Sequence, residues 1–143
     1  MTKMLLPDVN VWLALTFDAH QHHPIAKSWF DALTTEVCVF LRMTQQGFLR
    51  LATNRQVFGA STRTLSEAWR DYDALQNDPR VLFVAEPLYI EPKWRAFTQG
   101  RGFSTHIWND AYLAAVAQVA GLEIVTFDQG FKQYHSVPCT LLS

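Results

Sequence analysis

The sequence predicts an α/β fold, a three-layer α/β/α sandwich with a central parallel sheet. Three observations carry that expectation. Short, continuous apolar runs recur along the chain, the pattern of strands covered on both faces. One or two stretches with helical spacing separate successive runs, as parallel crossovers require. The chain has 143 residues, 49% of them hydrophobic, which suits a single domain over residues 1–143 with a real core.

The strands are expected at residues 4–6, 37–41, 81–85, 122–127 and 140–142. Between the first two, Pro24 suits a first helical turn, and Ala26, Trp29, Phe30 and Leu33 follow at i, i+3, i+4 and i+7. Thr64-Leu65-Ser66-Glu67 reads as a capping box, with Leu65, Ala68, Trp69, Tyr72 and Leu75 as the apolar face behind it. Glu91-Pro92 starts a short helix carrying Trp94 and Phe97. A further helix begins at Asn109 or just before it, runs through Ala120 and stops at Gly121. Residues 54–63 are the longest irregular piece, and such loops in compact domains tend to be functional.

Composition removes several classes of function. With 12 Lys and Arg against 13 Asp and Glu, the net charge is −1, so any nucleic-acid contact must rest on a local patch. The longest purely apolar runs, such as Ala111 to Ala117, are far short of the ~20 residues of a membrane span. The N-terminus turns charged before a secretory apolar region forms. The two cysteines, Cys38 and Cys139, are too far apart to suggest a disulfide framework or a zinc site. A soluble, cytoplasmic domain is the expectation, with Cys38 as an inert buried thiol.

Three acids fall where solvated charges are not expected. Asp8 closes the first strand and Asp128 the one ending in Thr126-Phe127, while Asp110 begins the helix that leads back into that strand. Residues 110–120 as helix cover ~16 Å, and residues 123–128 as strand return ~20 Å. Asp110 and Asp128 therefore reach the same edge of the sheet, and in a parallel sheet Asp8 ends there too. Carboxyl ends of strands are where open α/β sheets place their sites. Any one of these residues alone reads as a helix cap. Three together repel unless a cation neutralises them, and an all-oxygen cluster suits Mg²⁺ or Mn²⁺. Such an ion activates water and stabilises an in-line phosphoryl transition state.

Four segments carry a resemblance. They are Leu5-Leu6-Pro7-Asp8-Val9-Asn10-Val11-Trp12-Leu13, Gly47-Phe48-Leu49-Arg50-Leu51-Ala52-Thr53-Asn54, Asn109-Asp110-Ala111-Tyr112-Leu113-Ala114-Ala115 and Thr126-Phe127-Asp128-Gln129-Gly130. In order and spacing they resemble PIN domains of the VapC toxin type over nearly the whole chain. The resemblance implies a magnesium-dependent ribonuclease, the toxin half of a toxin–antitoxin pair, often dimeric and restrained by a VapB-type antitoxin. It makes Asp8, Asp110 and Asp128 the catalytic and metal-binding acids, with Asn10 and Thr126 as polar neighbours that orient ligands or water. One position departs from the pattern. The family usually carries a glutamate in T-x-x-E on the helix after the second strand, and here Thr44-Gln45-Gln46-Gly47 puts glycine in its place. Close packing is the expected reason, since glycine inside a helix costs ~1 kcal/mol against alanine. Glu67 is a weak substitute, because its capping-box position already explains it.

Five arginines (42, 50, 55, 63, 70) face one acid, Glu67, between residues 42 and 70. Arginine suits planar phosphate contacts, so Arg50, Arg55 and Arg63 are expected to hold RNA, the bland reading of each being a solvated face or a structural ion pair. His20, His22 and His23 read as a surface turn. The five tryptophans read as core or dimer packing, with Trp108 a candidate for the rim of the site. Rival enzymes fit poorly: Asn10 removes the general acid of a D-x-D phosphatase of the haloacid-dehalogenase type, and no G-x-G-x-x-G follows the first strand. The remaining alternative is a degenerate PIN-fold module that binds RNA or an antitoxin without cutting.

Overall fold

The computed structural model describes residues 2–100 and 104–143. Five strands form one parallel sheet: β1 (Met4–Pro7), β2 (Val37–Phe40), β3 (Val81–Phe83), β4 (Glu123–Thr126) and β5 (Cys139–Leu141), in the order β3-β2-β1-β4-β5. β1 is central, with Leu5 and Leu6 opposite Glu123 and Ile124 of β4. The expected strands are all present. β3 is shorter than residues 81–85 because it is the sheet edge, where Leu82 and Phe83 stay exposed.

Period-two alternation along the strands builds two cores. Leu5, Cys38, Phe40, Val81 and Val125 face one layer, made by α1 (Val9–Thr16), α2 (His23–Asp31), α3 (Arg42–Ala52) and α5 (Leu65–Gln76). Leu6, Val39, Leu41 and Ile124 face the other, made by α6 (Ile90–Thr98) and α7 (Ile107–Ala120). The expected three layers result. Trp12 anchors the first core, fully buried and stacked on Phe40 at 4.1 Å. Burial pushes the Cys38 thiol up to about 12, in keeping with an inert group.

Two elements escape the sequence pattern. α1 follows β1 with no loop, and its residues are too uniformly apolar to show a helical period. Residues 54–63, expected to be irregular, hold a single helical turn, α4 (Arg55–Phe58), followed by a 3₁₀ turn at Gly59–Ser61. The Asn54 side chain caps α4 by accepting from Gln56 N at 2.9 Å. Phe58 stacks on Phe17 at 3.9 Å, and the Arg63 guanidinium covers Phe17 at 4.3 Å. The loop is thereby fastened to the core.

The histidine turn is likewise fastened. His23 Nδ1 donates to Ala14 O at 2.8 Å, His20 Nδ1 accepts from His22 N at 3.0 Å, and His22 stacks on Phe127 at 4.4 Å. These contacts correct the reading of a plain surface turn: long-range partners, invisible in local sequence, tie it to α1 and to the end of β4.

Candidate active site

Each of the three aspartates is placed by its local backbone. Asp8 ends β1 and caps α1, its Oδ1 accepting from Val9 N at 2.7 Å. Asp128 follows β4 and caps the 3₁₀ turn at Gln129–Gln133, its Oδ1 accepting from Gly130 N at 2.8 Å. Asp110 lies in the first turn of α7. Thr126, fully buried, joins the first two: its hydroxyl donates to Asp8 Oδ2 at 3.2 Å and accepts from Asp128 N at 3.0 Å.

The three carboxylates line one cleft of about 710 Å³ at the carboxyl ends of β1 and β4. Their charges act on one another. Burial holds the Asp8 carboxyl above its usual range, opposed by its bonds from Val9 and Thr126 and reinforced by Asp128. Asp110 is pushed up to about 6 by burial first, then by the charges of Asp8 and Asp128, against a small opposing effect of His106. None of the ion pairs among the described residues engages any of the three. The convergence that strand-end geometry predicts is present, and the negative charge is left uncompensated.

Asn10, Gln46, Arg50 and Asn109 complete the polar lining, with His106 beside Asp110. Gln46 went unnoticed in the sequence. Its signal is spacing, for it lies four residues before Arg50 and so shares that face of α3. Gly47 also lines the cleft, and a Cβ there would come within 2.8 Å of Val9 Cγ2. The approach of α1 to α3 leaves no room for a side chain where the family carries its glutamate. Glu67 does not replace that acid, because its carboxylate accepts from Thr64 N at 2.8 Å in the capping box.

The three candidate arginines separate. Arg50 lines the cleft with its side chain exposed. Arg55 is exposed on α4, outside the cleft lining. Arg63 is committed elsewhere, pairing with Asp71 Oδ2 at 2.7 Å and donating to Ser61 O at 3.1 Å while it covers Phe17. Its expected phosphate role gives way to a structural one. Trp108 also lies outside the cleft lining: its carbonyl accepts from Trp94 Nε1 at 3.0 Å, and the two rings meet edge-on at 6.2 Å.

Among the described residues, no three His, Cys, Asp or Glu side chains stand close enough to enclose a metal ion by themselves. The donor chemistry nevertheless fits a hard ion such as Mg²⁺. That ion keeps several waters and takes only one or two protein carboxylates directly, the rest acting through water and charge. A carboxyl such as Asp110, whose proton affinity burial and the charges of its neighbours raise, is the kind of group such a cation relieves.

Similarity to known proteins agrees with this architecture. The family profile described as PIN domain matches residues 5–136. Ribonuclease VapC41 of Mycobacterium tuberculosis is 43% identical, over 98% of this chain and 99% of its own length. Among solved structures, VapBC2 of Rickettsia felis bound to a promoter DNA fragment aligns with a TM-score of 0.73 at 10% identity, covering 98% of this chain and 99% of that one. A toxin–antitoxin complex from Klebsiella pneumoniae aligns with a TM-score of 0.62 at 19% identity, covering 93% and 94%. At those identities the two structures speak for the fold. From its sequence, its sheet order and its relatives together, the chain belongs to the PIN-domain family, in its VapC branch.

Proposed function

We propose that the protein is a metal-dependent endoribonuclease and the toxin component of a type II toxin–antitoxin system, hydrolysing RNA phosphodiesters. The observation that carries this reading is the cleft in which Asp8, Asp110 and Asp128 converge, with none of the ion pairs among the described residues engaging them. There the charges of Asp8 and Asp128 add to the burial that raises the proton affinity of Asp110. The full-length likeness to a relative named a ribonuclease points the same way.

Asp8, Asp110 and Asp128 would hold Mg²⁺, with Mn²⁺ as the alternative ion. When bound, the ion supplies a polarised water and neutralises charge developing on the phosphate. The chain's own groups prepare that chemistry. Thr126 orients Asp8 through its hydroxyl and fixes the backbone at Asp128. Asn10 and Gln46 offer amide groups to water or a phosphate oxygen on the cleft wall. Arg50 brings an unpaired guanidinium for a flanking phosphate.

The partners in this reading are an RNA substrate, a VapB-type antitoxin and a second copy of the chain. Among the described residues no helix is long and apolar enough to cross a membrane. We place the protein in the cytoplasm, where its RNA is. Gly47, which removes the family's fourth acid, is the observation favouring a second reading, a PIN-fold module that binds RNA or an antitoxin without cutting.

Cleavage of single-stranded RNA with Mg²⁺, abolished by chelation and by Asp110→Asn, is the expected result. Equal inertness of wild type and variant across RNAs and metals would leave the binding module standing.

A further inference from the structure

We infer that a second cavity beside the acidic cleft is a nucleobase subsite, holding one unstacked base of single-stranded RNA next to the scissile phosphate. The inference rests on the nuclease reading above and adds to it the place where substrate choice is made.

The cavity has a volume of about 430 Å³ and is walled by α1 at Asn10 and Leu13, the histidine turn, the end of α3 at Leu51, and α4. It shares Asn10 and Leu51 with the acidic cleft, so the two adjoin. Its apolar surface comes chiefly from Leu51, Val57 and Phe58, with the buried Leu13 behind them. Val57 is 51% exposed, an apolar side chain that the core does not account for. Polar groups stand at its border: Asn10, His20 and Gln21. A nucleobase has this same division, with apolar faces and an edge of donors and acceptors. Proteins that read single strands use an aromatic or apolar platform with side chains that bond the base edge.

His20 is prepared for that edge. Its Nδ1 accepts from His22 N at 3.0 Å, which fixes the proton on Nε2 and makes that nitrogen a donor. Burial, then the neighbouring His22 and His23, lower its proton affinity and keep the ring neutral near pH 7. Charge favours an anionic chain such as single-stranded RNA as occupant. Arg50 in the cleft lining and Arg55 at the start of α4 are exposed, unpaired cations available to the phosphates of such a strand.

The test uses a randomised single-stranded RNA cleaved with Mg²⁺ by wild type, Val57→Trp, which fills the cavity, and His20→Ala, which removes the donor. Sequencing the ends gives the base preference at each position around the cut, and thermal melting checks the fold. Wild type is expected to discriminate at one position flanking the cut, and both variants to lose about tenfold of that discrimination. A merely structural change lowers overall rate without altering the preference. A second arm is independent of cleavage: Asp110→Asn protein is photo-crosslinked to a 4-thiouridine hexamer, with adducts expected at residues 19–21 or 57–58.

The outcomes separate. If wild type cuts but both variants keep its preference, the subsite is wrong and the nuclease reading stands. If no RNA is cut yet the crosslinks map to this cavity, the subsite stands without the nuclease. If the preference persists while an inhibitory protein partner binds the variants more weakly, the cavity is a protein-docking surface and the proposal falls. With neither cleavage nor these crosslinks, both readings fall.

Discussion

Thr126 and Asp8 lie 118 positions apart in the chain, and the hydroxyl of one donates to Oδ2 of the other at 3.2 Å. The same oxygen accepts from Asp128 N at 3.0 Å, so one buried hydroxyl sets the spacing of two strand ends. Replacing Thr126 by Val keeps the volume and leaves the part-buried Asp128 N–H without its acceptor and Asp8 Oδ2 without its donor. The expected cost is ~1–2 kcal/mol of stability, with cleavage reduced at least tenfold as Asp8 loses its orientation. Thr126→Ser restores both. Denaturant melts and initial rates for the three proteins check this, and a Val variant with wild-type rates would remove Thr126 from the site.

Asp8→Asn, Asp110→Asn and Asp128→Asn separate charge from architecture. Asparagine caps as well as aspartate does, so α1 and the 3₁₀ turn after Asp128 stay intact. Each variant is expected to lose about 10²–10³-fold in cleavage, the scale of a single charge-stabilising group. Circular dichroism should be unchanged, and Mn²⁺ affinity measured by paramagnetic relaxation should fall with the rate. A variant that keeps both affinity and activity removes that aspartate from the metal site.

Gly47 and Val9 form a tight contact between α3 and α1, with 2.8 Å between a Cβ built at 47 and Val9 Cγ2. Gly47→Ala gains up to ~1 kcal/mol of helix propensity but overpacks the contact, and overpacking typically costs ~1–3 kcal/mol. Net destabilisation is expected. The Val9→Ala, Gly47→Ala pair should recover most of it, giving a favourable coupling in a double-mutant cycle. Strict additivity would show that the contact imposes no strain. For the same reason, Gly47→Glu is expected to unsettle the α1–α3 contact rather than restore a fourth metal ligand.

What could be read in advance follows from how locally each feature is determined. β1, β2 and β4 announce themselves because both faces are covered, and the aspartates follow because they end strands or start a helix. α1 gave no period, since Val11 to Ala14 are all buried. α4 is four residues long and owes its place to the Phe58–Phe17 stack, a contact across 41 positions (58 − 17). Arg50 and Arg63 look alike in sequence, and only the third dimension sends one to the cleft and the other to Asp71 and Phe17. The glycine at 47 is visible as a departure, while its cause, Val9, is not.

The raised proton affinity of Asp110 gives stability a pH dependence in metal-free protein. The folded-state value is about 6 against an ordinary 3.8, so the folded protein binds the extra proton between them. Its contribution is fully present below pH ~4 and is lost as pH rises through about 6. A shift of this size corresponds to at most ~3 kcal/mol, which screening at a half-buried site reduces to about 1. Asp110→Asn should flatten this part of the stability profile and, without metal, be the more stable protein at pH 7. Mg²⁺ should reverse the order, and its binding below pH 6 should release protons, seen as buffer-dependent heats. A wild-type profile that, without metal, does not fall relative to that of Asp110→Asn between pH 4 and 6, or heats independent of buffer, would contradict the assignment.

Arg50 and Arg63 give the last expectation, because one side chain is unpaired in the cleft and the other is locked in place. A phosphate contact made by Arg50 releases a counterion, so Arg50→Ala should weaken binding to a single-stranded RNA and lower the slope of log K against log salt by about 0.7. Arg63→Ala should leave that slope unchanged and lower stability instead. It removes a partly buried ion pair and the cover over Phe17, and with them the fastening of α4. Salt titrations with Asp110→Asn as the common background measure affinity without turnover. Equal slopes for wild type and Arg50→Ala would remove Arg50 from the RNA path, and a reduced slope for Arg63→Ala would show that its pair with Asp71 opens to admit a phosphate.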